Sequence, residues 1–351
     1  LDLYVVSGGY AFPEGSNLYQ DRLYLNDGTG NFAKTSSALP KLHANGTTVL
    51  AFDVDKDGDQ DLFVGGNALP NAYPYPDQSF LLLNNGGVFS DVSTQLPNNG
   101  KLGMINDALW IDIDNDNDSE LILAGEWMPI TVLKFQDSKF KEVTTEGFEN
   151  SSGWWNTIEA ADMDGDGDLD LIGGNRGNNS FFKASIEKPA SIYAKDFDGN
   201  GSIDAFPFYY FSDGKSHPKH ILDEVFAQYP NIRRKFQRYK DYSNATLSDI
   251  FTKEEQKGML TLKAQTFSST FFENLGDGSF TPKPLPTKAQ FSEVHGILPI
   301  DIDNNGSLEL LITGNNYGVD VEMGQNDANI GIVLLNDGKG NLNPYFIHHG
   351  K

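Results

Sequence analysis

The chain contains no cysteine, so disulfides and thiolate metal sites are excluded. It has no run of 18 apolar residues, and no segment reads as a membrane-spanning helix. Basic residues are scarce: 26 Lys and Arg face 49 Asp and Glu, a formal net charge of −23. Such a chain repels nucleic acid and anionic lipid and attracts cations. Catalytic signatures are missing too. No G-x-S-x-G, P-loop or G-x-G-x-x-G occurs in a strand-to-helix context. The six histidines (His43, His217, His220, His295, His348 and His349) carry no motif pairing them with a nucleophile or a zinc ligand.

What is present is a folded composition, 38% hydrophobic and 12% aromatic. The length, 351 residues, is long for one domain but within the reach of an all-β propeller or barrel. No signal peptide is visible. The opening LDLYVVSGG reads like DLFVGG at 61–66, the second half of a repeat without its first half. The chain is therefore expected to be a piece of a longer polypeptide, with any export signal upstream.

The dominant feature is an acidic nonapeptide. DVDKDGDQD (53–61), DIDNDNDSE (112–120), DMDGDGDLD (162–170), DFDGNGSID (196–204) and DIDNNGSLE (301–309) share carboxylates at positions 1, 3 and 9. Position 6 is Gly, or Asn117 in one copy, the residue types that best tolerate a left-handed backbone. Short apolar runs flank each loop and read as strands. A second motif follows in LYLNDGTGNF, LLLNNGGVF, VLLNDGKGNL and the variant FFENLGDGSF, with Asn-Gly and Asp-Gly hairpin turns. One repeat is thus about four strands, the size of a propeller blade.

Loop starts are separated by 59, 50, 34 and 105 residues. The 34-residue unit reads as shortened, and the 105-residue unit as carrying an insertion. Residues 219–262 fill that insertion and have helical apolar spacing. Six units result, at 1–40, 41–100, 101–150, 151–190, 191–288 and 289–351.

Alternating carboxylates around a glycine turn suit a hard cation, and calcium above all, with six to eight oxygens. Side chains at positions 1, 3, 5 and 9 and a backbone carbonyl at 7 would supply them. The candidate ligands are Asp53, Asp55, Asp57, Asp59 and Asp61; Asp112, Asp114, Asp116, Asp118 and Glu120; Asp162, Asp164, Asp166, Asp168 and Asp170. The sparser loops offer Asp196, Asp198, Asn200, Ser202 and Asp204, and Asp301, Asp303, Asn305, Ser307 and Glu309. With three carboxylates each, these two are expected to bind more weakly. An EF-hand would need Glu at position 12 and flanking helices. Position 12 is Val64, Leu123, Gly173 or Ile312, and the flanks are strands. Purely solvated acidic turns would not recur five times in register.

Loop, strand and hairpin in this order resemble the FG-GAP or VCBS repeats of integrin-α-like calcium propellers. The phrases YQDRLYLNDGTGNF, GEWMPI, GWWNTIEAADMDGDGDLDLIGGN and YAKDFDGNGSID are similar to large bacterial surface VCBS-repeat proteins related to cartilage acidic protein. The resemblance implies an all-β propeller, usually of seven blades, with about five structural Ca2+ ions in the blade loops. It also implies a setting at the surface of a Gram-negative bacterium, but no known ligand.

The expected function is non-catalytic binding of a protein or glycan, as a surface module or as a subunit of an outer-membrane complex docked through the insertion. The alternative is a polysaccharide-acting enzyme that uses the central funnel. Its signature would be acids outside the loops, and Glu126, Glu159 and Glu293 lie near blade strands. Trp127, Trp154 and Trp155 are candidates for stacking on sugars, against packing between blades, and Tyr73 and Tyr75 are comparable. The basic island RRKFQRYK at 233–240 is either a docking patch or a helix face paired with the protein's own acids.

Overall fold

The computed structural model describes residues 1–319 and 325–345. His348 and His349 lie outside the described residues. The described chain is almost all β and forms six antiparallel sheets.

The first sheet has three strands, β1 (Leu3–Val5), β2 (Arg22–Asn26) and β3 (Phe32–Lys34). The second is a meander of β4 (Gly46–Phe52), β5 (Asp61–Gly66), β6 (Phe80–Asn85) and β7 (Val88–Asp91). The third holds β8 (Met104–Ile111), β9 (Glu120–Met128), β10 (Thr131–Gln136), β11 (Lys139–Val143) and the short β12 (Gly153–Trp154). The fourth opens with β13 (Thr157–Ala161) and β14 (Asp170–Gly174).

The chain then leaves the fourth sheet to build a fifth from β15 (Ala190–Lys195), β16 (Asp204–Tyr210), β17 (Ser216–Pro218) and β18 (Leu260–Ala264). Between β17 and β18 lie the helices α1 (Leu222–Gln228), α2 (Tyr239–Tyr242) and α3 (Leu247–Ile250). Afterwards β19 (Thr270–Asn274) and β20 (Phe280–Pro284) return to complete the fourth sheet, with β19 pairing β14. The sixth sheet is β21 (Gly296–Ile300), β22 (Glu309–Thr313), β23 (Ile332–Asn336) and β24 (Leu342–Pro344).

This corrects the unit boundaries expected at 151–190 and 191–288. The unit after loop 162–170 is not shortened; it is interrupted, and 270–284 supplies its second hairpin. The fifth sheet also differs in order, with β18 beside β15 rather than at the far edge.

Strand alternation explains the packing. Successive side chains of a strand point to opposite faces. In β9, Leu121 and Leu123 enter the core shared with Phe63, Leu81 and Ile105 of the second and third sheets. Ile122 and Ala124 enter the next core, with Trp155, Ile158, Leu171 and Phe272. Ile172 and Phe271 face the sixth sheet's Ile297, Leu310 and Leu334. Each middle sheet is thus buried on both faces, which is why runs such as LFVGG after Asp61 are apolar throughout. The second, third, fourth and sixth sheets touch in that order through β4, β8, β13 and β21.

Small residues at the strand ends make room for neighbours. A Cβ on Gly173 would sit 2.6 Å from the Trp155 ring, which is fully buried. The helices of the insertion pack Leu222, Val225, Tyr229 and Ile250 onto Phe206 and Phe208 of β16. They are the core of the fifth sheet as much as an addition to it.

Candidate functional site

Each acidic loop is a strand-to-strand connection, and the five loops share one geometry. Asp53, Asp112, Asp162, Asp196 and Asp301, at position 1, accept N–H bonds from the turn, such as Gly58 N to Asp53 Oδ2 at 3.0 Å and Gly201 N to Asp196 Oδ2 at 2.9 Å. Position 9 accepts from the backbone of position 2: Val54 N to Asp61 Oδ2 at 2.9 Å, Met163 N to Asp170 Oδ2 at 2.9 Å and Ile302 N to Glu309 Oε2 at 3.0 Å. Two residues per loop are left-handed. Position 6 was legible as Gly or Asn. Position 4 was not, and it carries φ of 62° at Lys56, 57° at Asn115, 81° at Gly165, 76° at Gly199 and 61° at Asn304.

The side chains converge. In four loops the carboxylates of positions 1, 3 and 9 offer oxygens within 4.8 Å of one another: Asp112, Asp114 and Glu120; Asp162, Asp164 and Asp170; Asp196, Asp198 and Asp204; Asp301, Asp303 and Glu309. In the first loop the group is Asp53, Asp55 and Asp57. Position 9 is buried in every copy, at 0% to 4% exposure for Asp61, Glu120, Asp170, Asp204 and Glu309. A buried carboxylate without a cation prefers to be protonated. Burial accordingly pushes Asp170 and Asp204 up to about 6. Asp168 rises to about 7, through burial and then the neighbouring Asp166. Its Oδ1 is buried without a hydrogen-bond partner. Converging, buried, anionic oxygens with no nitrogen or sulfur among them fit a hard divalent cation.

One loop departs from this. Lys134 on β10 stands opposite Glu120 on β9. Its ammonium lies 3.3 Å from Asp114 Oδ2, 2.5 Å from Asp116 Oδ2 and 3.0 Å from Glu120 Oε1. Those are positions 3, 5 and 9, the side chains that would hold an ion. Continuing the register puts Leu83, Glu273 and Leu335 at the matching place in the second, fourth and sixth sheets. Loop 112–120 thus has an ammonium of the chain itself among three of its carboxylates, while Asp112, Asp114 and Glu120 still converge as in the other loops. The lysine's hydrogen bond holds Asp116 below the usual carboxylate range.

The hairpin asparagines also turn out to be part of the loops. Asn274 Nδ2 donates to Leu169 O of its own loop and to Ile113 O of the preceding sheet's loop, at 3.1 and 2.9 Å. Asn336 Nδ2 does the same with Leu308 O and Met163 O, at 3.1 and 2.6 Å. Loop and hairpin motifs are thus one device that staples adjacent sheets.

A second site lies away from the loops. A cavity of about 720 Å³ takes residues from the strands or connecting loops of all six sheets, among them Tyr10, Tyr73, Glu126, Arg176, Pro207 and Asn316. Glu126 and Glu293, singled out in the sequence, both line it. Glu159 does not; it sits on β13, opposite Ile172. Of the tryptophans, Trp154 is half-buried in the cavity wall. Trp155 is interior packing, with Nε1 donating to Ser151 O at 2.8 Å. Trp127 is buried behind the wall at a φ of 57°, a strained conformation for a bulky residue. Its Nε1 donates to the Tyr73 hydroxyl at 2.7 Å, and that hydroxyl donates to Glu126 Oε2 at 2.9 Å. Tyr75 instead reaches Ala194 O across to the fifth sheet.

The two acids differ. Glu293 Oε1 accepts from Arg176 Nη1 at 3.1 Å and from Asn326 Nδ2 at 3.2 Å, while Oε2 accepts from Asn316 Nδ2 at 2.9 Å and lies 3.4 Å from His295 Nε2. Burial opposes its ionisation, but His295, Arg176 and the two amides prevail and hold it below its usual range. Burial pushes Glu126 above its usual range, opposed by the Tyr73 hydrogen bond. Arg176 is 8% exposed and stacks over Trp154 at 4.5 Å and Phe182 at 5.0 Å.

The basic island is largely spent within the insertion. Arg233 lies over the Phe226 ring, Lys235 bonds Ile250 O and Glu255, and Arg238 forks onto Asp241.

Comparison with known proteins adds the following. A family model described as FG-GAP-like repeat matches residues 1–64 and 112–173. No curated protein matches the chain. Among solved structures, the crystal structure of the V. cholerae biofilm matrix protein Bap1 aligns with 85% of this chain at 15% identity and a TM-score of 0.32. The chain spans 39% of that protein's length. No helix among the described residues is long and apolar enough to cross a membrane.

Proposed function

The chain carries FG-GAP-like repeats, and from that premise we propose that it is a non-catalytic, calcium-stabilised β-propeller module that binds a protein or glycan outside the cell, at a bacterial surface. The blade arrangement is supported by sheets that touch in sequence through their first strands and by one cavity that draws residues from all six. The observation that carries the calcium reading is the set of buried position-9 carboxylates, which in four of the five loops converge with the acids at positions 1 and 3.

Four loops take an ion. The side chains are Asp53, Asp55, Asp57 and Asp61; Asp162, Asp164, Asp166 and Asp170; Asp196, Asp198, Asn200 and Asp204; Asp301, Asp303, Asn305 and Glu309. The backbone carbonyls of Asp59, Asp168, Ser202 and Ser307 complete the sets. The fifth loop is closed by Lys134, so the sequence-based expectation of five ions becomes four. Ion binding requires the folded loop, so it adds directly to stability. Affinities of about 10⁻⁴ to 10⁻³ M suffice outside the cell.

The non-catalytic reading is supported by the state of the two cavity acids. Glycoside hydrolysis needs two working carboxyl groups. Both oxygens of Glu293 are committed to Arg176, His295 and two asparagines, which leaves Glu126 as the one uncommitted acid among the described residues that line the cavity.

Thermal unfolding with and without chelator tests the calcium reading. EGTA is expected to lower Tm by on the order of 10 °C, and added calcium to restore it. An unchanged melt in EGTA contradicts it.

A further inference from the structure

The geometry points to the six-sheet cavity as the binding site for a neutral saccharide, held by two tyrosine faces, three donors and the Glu126 carboxylate. This rests on the surface-binding reading above and names the ligand class for it.

The tyrosine rings come first. Tyr10 is 57% exposed and Tyr73 is 37% exposed, yet both hydroxyls are pinned. Tyr10 donates to Asn67 Oδ1 at 2.6 Å, and Tyr73 sits in the relay from Trp127 to Glu126. Pinned hydroxyls fix the rings without covering their faces. An aromatic face held open at a cavity is a platform for the C–H face of a pyranose.

The donors come second. Trp154 Nε1, Asn156 Nδ2 and Arg176 Nε are buried and have no hydrogen-bond partner. All three residues line the cavity. Three buried donors without acceptors are costly, and such groups in a native fold ask for a ligand or solvent that accepts from them. Arg176 is more than nine-tenths buried, and its charge is already matched by Glu293, so it asks for an acceptor rather than an anion.

The acceptor comes third. Glu126 uses Oε2 on Tyr73, and Oε1 accepts from no donor among the described residues. A ligand must therefore both accept and donate. Hydroxyl groups do both, whereas a carboxylate or phosphate only accepts and would also meet the Glu126 charge. The volume, about 720 Å³, falls within the range of small-ligand sites, on the order of 300–1,000 Å³.

The test is calorimetric titration of the calcium-loaded protein with defined neutral oligosaccharides: maltotriose, cellotriose, xylotriose, mannotriose and chitotriose. At least one is expected to bind, and Glu126→Gln and Asn156→Ala are each expected to weaken it about tenfold or more. Tyr10→Ala, at an exposed ring, provides a variant whose folding is not in question. All three should keep the calcium-dependent melt. Binding that survives all three substitutions, or no binding to any trisaccharide with the calcium-dependent melt intact, overturns the saccharide assignment while leaving the calcium reading standing. Release of reducing ends upholds the cavity as the sugar site and overturns the non-catalytic reading instead.

Discussion

Loops 112–120 and 162–170 have the same five acidic positions and the same fold, yet they solve their charge problem differently. In the first, the Lys134 ammonium lies within 3.3 Å of three carboxylates. In the second, the corresponding residue of the neighbouring strand is Glu273, and no side-chain cation among the described residues forms an ion pair with the loop. Glu273 is instead paired outward with Lys283 at 2.7 Å. Burial raises the position-9 acid in both loops, Glu120 and Asp170, the latter to about 6; the lysine's mark is on Asp116, which its hydrogen bond holds below the ordinary range. One loop carries a cation of the chain itself; on the proposed reading the other recruits one. A repeat can therefore keep the acidic signature and lose the need for the ion through one residue elsewhere.

The largest expected effect follows from exchanging the two solutions. Lys134→Met leaves Glu120 buried without a cation, at a cost of about 3–5 kcal/mol in chelator. Calcium should recover most of that loss. Denaturant unfolding in EGTA and in calcium measures both; a variant equally stable in the two buffers would break the comparison.

The next effect is one of pH. Asp170, Asp204 and Asp168 have folded values of about 6, 6 and 7 against an ordinary 3.8. Between about pH 4 and 7 the folded, chelated protein binds more protons than the unfolded chain, so its stability falls as pH rises through that window. Calcium holds the same carboxylates ionised and reverses the slope. Melting curves across pH 4–7 in the two buffers should therefore converge at the acid end and diverge towards neutral.

Smaller effects separate backbone from charge. Gly167 has a φ of 100°, so Gly167→Ala should cost about 1–2 kcal/mol and weaken calcium at that loop. The Lys56–Asp118 pair is exposed at 75% and 58%, so Lys56→Ala should change stability by about 0.5 kcal/mol or less. A large loss there would show that exposed charge, rather than the enclosed Lys134, governs the region.

The strands around each acidic loop were legible because loop, apolar run and hairpin follow one another in sequence. The interrupted fourth sheet was not. β14 and β19 pair across some 95 residues, and nothing in LIGG or FFEN encodes that distance. The fifth sheet was expected from its acidic loop, but its order was not, because β15 and β18 pair without the hairpin motif. Lys134 sits in TVLKFQ as an ordinary polar residue of a strand, and its meaning depends on facing Glu120. The cavity was half legible. Glu126, Glu293 and Trp154 stood out by type, but Arg176 and Asn156 gain significance only where six sheets converge.

The most direct test of the account is the number of calcium ions bound per chain, measured by native mass spectrometry of the calcium-loaded protein. Four ions are expected for the wild-type chain and five for Lys134→Met. Five in the wild type, or none, would contradict it.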